Sequence, residues 1–92
     1  MDLKLNKEYY LRVIQISGYQ SVEAEKISRK MVKRVKIVAF PFENEAVIEF
    51  IGAKRYYEGV GLPVRGRLYI TAGVPSHLSS GDEKYEVMNI LG

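Results

Sequence analysis

The chain has 92 residues, 47% hydrophobic and 27% charged, with a formal net charge of +3. That length suits a single domain spanning residues 1–92, and the composition argues against wholesale disorder. With no cysteine, there is no disulfide, no thiolate metal ligand and no cysteine nucleophile, and a cytoplasmic (intracellular) location is expected. No apolar run approaches the roughly 20 residues of a membrane helix. The opening residues, Met1-Asp2-Leu3-Lys4-Leu5, lack the apolar core of a secretory signal.

Residues 6–18 are rich in Tyr, Val and Ile and predict a first strand. Apolar side chains fall on both alternating sets: Tyr9, Leu11 and Val13 on one, Ile14 and Ile16 on the other. Such a strand is buried on both faces or bulges partway, with Gly18 as the place to bend or stop.

Residues 21–34 predict an amphipathic helix. Ser21 is a favourable N-cap, and Glu23 and Glu25 occupy the first turn, where the helix dipole favours them. At 100° per residue, Ala24, Ile27, Met31, Val32 and Val35 gather on one side. Lys26, Arg29, Lys30, Lys33 and Arg34 gather on the other. Residues 36–42 predict a second strand, 43–45 a turn and 46–51 a third strand, the pair forming a hairpin. Residues 53–63 read as irregular, punctuated by Gly59, Gly61 and Pro63. Residues 64–72 predict a fourth strand, with Leu68 and Ile70 on one face and Arg67, Tyr69 and Thr71 on the other. Residues 73–83 read as a mobile loop, and 84–91 as a last strand.

This order predicts an α+β domain, with a mainly antiparallel five-stranded sheet and one helix after the first strand. In layout the chain also resembles an OB-like five-stranded barrel. The bent first strand, the following hairpin and the long loop before the last strand carry that resemblance. It departs in placing its helix after the first strand rather than the third.

Charge gives the functional expectation. Residues 26–42 hold six of the fourteen basic residues and no acid, leaving eight basic against eleven acidic elsewhere. A concentrated positive field attracts polyanions. The expected interface is the helix face of Lys26, Arg29, Lys30, Lys33 and Arg34, extended by Lys36. Strand positions Arg65, Arg67 and Tyr69, and Tyr10 with Arg12, offer cations beside rings on which unpaired bases stack. The expected function is therefore a non-enzymatic nucleic-acid-binding protein, for DNA or RNA. The alternative is a protein-interaction module, an inhibitor or adaptor docking on an acidic protein surface. Apolar residues such as Val47, Ile51, Val87 and Leu91 also permit a homodimer.

Other patterns carry less. The Gly59–Gly66 run lacks the Lys-Ser/Thr ending of a phosphate loop. His77 with Ser76, Ser79 and Asp82 lies on one short segment, whereas a triad needs members held in series by a scaffold. One His and no Cys supply no ordinary zinc set, so no cofactor or metal is expected. Glu49 interrupts an apolar run and is expected to pair with a cation such as Arg67.

Overall fold

A computed structural model describes residues 2–18 and 29–92. Along six segments apolar residues alternate with polar ones, and each segment is extended. The strands are β1 (Glu8–Ser17), β2 (Arg29–Phe42), β3 (Glu45–Tyr57), β4 (Val60–Thr71), β5 (Val74–Ser80) and β6 (Glu83–Leu91). Each pairs antiparallel with the next, and β6 returns to β1, closing a barrel in the order β1-β2-β3-β4-β5-β6. Closure removes the unpaired edges that an open sheet would expose.

Every strand sends side chains inward. Tyr9, Leu11 and Val13 come from β1, Val35 and Ile37 from β2, Ala46 and Ile48 from β3. Leu68, Leu78 and Tyr85 come from β4, β5 and β6. Leu3, Met31, Phe50, Val87 and Ile90 pack against this cluster. A barrel this narrow is filled by its own side chains, and burial of apolar area at about 25 cal/mol per Å² is what favours closure.

Four connections are two-residue turns, at residues 43–44, 58–59, 72–73 and 81–82. Glu58 and Gly59 both have positive φ (50° and 80°), as do Ala72 and Gly73 (51° and 77°). That is the type I′ pattern whose twist matches paired strands. Gly81 supplies the positive φ (59°) of the β5–β6 turn.

The antiparallel order sorts the connections between two ends. One end carries the β2–β3 and β4–β5 turns, and is plugged. There Lys4 N–H donates to the Tyr9 hydroxyl at 2.9 Å, and Leu3 joins the core. Backbone bonds from Asn6 N to Ile37 O (2.8 Å) and from Ile37 N to Lys7 O (3.1 Å) tie the leading segment to β2. The other end carries the start of β2, the β3–β4 connection and the β5–β6 turn.

Several expectations are corrected. The α+β class fails: among the described residues there is no helix, and the sheet is a closed six-stranded barrel. The barrel of the alternative reading is right in kind, but it has six strands in meander order. Residues 29–34 of the expected helix are the first half of β2; residues 21–28 lie outside the described residues. Two-residue alternation places Met31, Lys33 and Val35 inward and Lys30, Val32 and Arg34 outward, so the helical grouping of cations does not form. The expected irregular stretch 53–63 is the far end of the β3–β4 hairpin. The expected loop 73–83 contains β5, whose Leu78 is buried. The expected bulge in the first strand is present, as a register shift opposite Tyr85 and Lys84 that leaves Ile16 unpaired.

Candidate functional site

Outward positions on the barrel wall alternate in sign. Cross-strand register sets Glu8 beside Lys36, Lys36 beside Glu49, and Glu49 beside Arg65. Directly opposed unlike charges stabilise a strand pair, and like charges would oppose it. Three arginines on this wall are held by acids. Arg34 donates to Glu8 through Nε at 3.0 Å and Nη2 at 2.5 Å. Arg65 donates to Glu49 at 3.3 and 3.2 Å, and Arg67 donates to Glu45 at 2.6 Å. Hydrogen bonding to Glu8 and then its charge raise the Arg34 pKa, and Glu45 acts likewise on Arg67. Glu49 does pair with a cation, as expected, and that cation is Arg65 rather than Arg67.

The expected site therefore divides. Tyr10 and Arg12 do share the outer face of β1, and Tyr10 lies beneath the Arg34 guanidinium, 5.7 Å from ring centre. Arg65, Arg67 and Tyr69 do share the outer face of β4, but both arginines are engaged with carboxylates. Lys36 is flanked in register by two acids. Lys33 points into the barrel mouth. Arg29 and Lys30 stay exposed at the unplugged end. Lys26 lies outside the described residues.

Sequence reasoning missed the β3–β4 arm. After Phe50, β3 leaves β2, bends at Gly52 (φ 82°) and pairs only with β4, from Lys54–Pro63 to Tyr57–Val60. The result is a two-stranded ribbon at the unplugged end, wet on both faces. Cross-strand partners share a face, so Lys54 and Tyr56 lie over Pro63 and Gly61, while Arg55 and Tyr57 lie with Leu62 and Val60. A Cβ on Gly61 would come 3.1 Å from the Lys54 stem and 3.2 Å from the Tyr56 ring. The missing side chain is what lets Tyr56 lie flat along the ribbon. Tyr56 is 71% and Tyr57 69% exposed. A signal for this arm did exist: Tyr56-Tyr57 and Val60 flank a turn-forming Glu58-Gly59.

At the root of the arm lies a pocket of about 420 Å³, lined by β2, β3, β4 and the β5–β6 region. Lys33 Nζ sits 5.8 Å from the Phe50 ring centre and 5.5 Å from that of Tyr85. The Tyr85 hydroxyl donates to Glu83 Oε2 at 2.6 Å. Burial, then that hydrogen bond, push the Tyr85 pKa well above its ordinary value.

Remaining candidates for chemistry lie apart. Among the described residues no three His, Cys, Asp or Glu side chains could jointly hold a metal. Ser76 is bonded to Thr71 at 2.9 Å and to the Tyr69 carbonyl at 3.2 Å, not to His77. Compared with protein-family models, curated proteins and solved structures, the chain matches none.

Proposed function

We propose that the protein binds nucleic acid through the β3–β4 arm and the barrel end from which it projects. The observation that carries this reading is the exposed Tyr56-Tyr57 pair beside Lys54 and Arg55, on a ribbon with no core to bury it. A two-stranded hairpin alone is marginal in water, so ring exposure there is costly unless a partner covers it. Bases stack on such rings for about 1–3 kcal/mol each, and nearby cations track the phosphates. Arg29 and Lys30 are at the same end and have no ion pair among the described residues.

A fluorescence-polarisation salt series with labelled oligonucleotides tests this. Binding should weaken linearly in log–log coordinates as salt rises, by roughly 0.7–0.9 per phosphate neutralised. No binding at low salt would contradict the reading. Val60 and Leu62, 60% and 48% exposed on the Tyr57 face of the arm, favour a second reading, a protein-interaction module. A complex with an acidic protein that survives nuclease treatment would support it.

A further inference from the structure

The β2–β3 pairing ends at Val35–Phe50, and residues 29–34 pair with β1 alone. On the other side, β4 pairs with β5 only from Arg67 onward. The departing arm therefore splits the barrel wall and opens a wedge into the mouth, occupied by the pocket of about 420 Å³. That volume falls within the range of about 300–1,000 Å³ usual for small-ligand sites.

The chemistry of the walls is uneven in a useful way. Phe50, Ile51 and Val64 give an apolar, partly aromatic side. Lys33 supplies one ammonium, held over two rings and in no ion pair among the described residues. Ser80 and Glu83 line the facing strands, the Ser80 hydroxyl donating to the Arg65 carbonyl at 3.3 Å and Glu83 Oε2 accepting from Tyr85, which leaves Glu83 Oε1 and the Ser80 lone pairs for a ligand's polar edge. A flat apolar body bearing an anion, with polar edges, matches this set. A nucleotide has that form.

We propose that the wedge takes one unpaired nucleotide, its base against Phe50 and its phosphate at the Lys33 ammonium, so that the protein selects single strands. This rests on the nucleic-acid reading above. A base still paired in a duplex cannot enter, because its hydrogen-bonding edge and stacking faces are occupied, and extruding it costs a few kcal/mol. The arm, whose pairing begins at Lys54, four residues beyond Phe50, then stacks the neighbouring bases.

The test compares one oligonucleotide, single-stranded and as its duplex, on the intact protein and on Lys33→Met and Ala53→Trp variants. Methionine keeps an unbranched stem between the rings without the charge; tryptophan, from an exposed rim position, blocks the mouth. The intact protein should bind the single strand at least about tenfold more tightly than the duplex, the difference set by extrusion cost. Both variants should lose most of that preference, with single-strand affinity falling by a larger factor than duplex affinity. A mononucleotide should shift the amide resonances of Lys33, Phe50 and Val64 in the intact protein, a readout independent of the arm. Equal affinity for single strand and duplex, or mononucleotide shifts confined to the arm, would overturn the wedge proposal and leave the arm's role standing. No binding of any oligonucleotide would overturn both.

Discussion

Gly66 sits between Arg65 and Arg67 on β4, with its α-carbon facing the core. A Cβ there would come within 2.5 Å of the Ser79 carbonyl oxygen and 3.1 Å of the Phe50 ring. Backbone cannot yield as a flexible side chain does, so Gly66→Ala should force β4 and β5 apart. Overpacking of this kind costs about 1–3 kcal/mol, and the urea midpoint should fall accordingly; an unchanged midpoint would show that the strands are less closely packed. Tyr85 gives a second prediction at this scale. Its folded pKa is raised, so above about pH 10 the unfolded chain releases the phenolic proton while the folded chain keeps it. The unfolded state then binds fewer protons, and stability falls as pH rises through that range. Below it the contribution is fully present. Tyr85→Phe should flatten the decline measured by urea unfolding between about pH 9 and 11. A decline of equal slope in the variant would assign it to other groups.

Elements show why some strands were legible and others were not. Strand β4 was readable because its inward Leu68 and outward Arg67 and Tyr69 alternate cleanly. In β2, the outward Val32 and inward Lys33 break that alternation, and Met31, Val32 and Val35 fall at helical spacing instead. Tertiary placement in a barrel wall overrode the local pattern. Strand β5 was hidden by Pro75 and its serines, which mimic a loop, yet closure of the barrel requires a strand between β4 and β6. In the arm, glycine punctuation masked a hairpin. Its turn still holds a strained residue: Glu58 adopts φ 50°, where asparagine is better tolerated. Glu58→Asn should slow hydrogen exchange at the arm amides of Tyr57 and Val60, by relieving part of the roughly 1–2 kcal/mol that the left-handed conformation costs an ordinary residue. Unchanged or faster exchange would mean that the turn does not limit arm stability.

At the scale of the whole molecule, the described part of the basic segment, from Arg29 onward, does not become one basic face. Pleating sends its described members to opposite sides of the wall, and pairing with β1 and β3 sets Glu8 against Arg34 and both Glu8 and Glu49 beside Lys36, while Glu49 and Glu45 also hold Arg65 and Arg67 of β4. A charge count along the chain records proximity in sequence, whereas neutralisation depends on cross-strand register, which that count does not contain. What remains is asymmetric by end: one end is plugged by Leu3 and Tyr9, the other opens into the wedge and carries the aromatic arm. The binding claim rests on that asymmetry. Its most direct test measures oligonucleotide affinity at low salt for two variants against the parent: Tyr56→Ala/Tyr57→Ala on the arm, and Arg34→Gln/Arg65→Gln/Arg67→Gln on the wall. The arm variant should bind at least about tenfold more weakly, since each lost stack is worth about 1–3 kcal/mol, and the wall variant should stay close to the parent. An arm variant with parental affinity, or a wall variant that alone loses binding, would contradict the account.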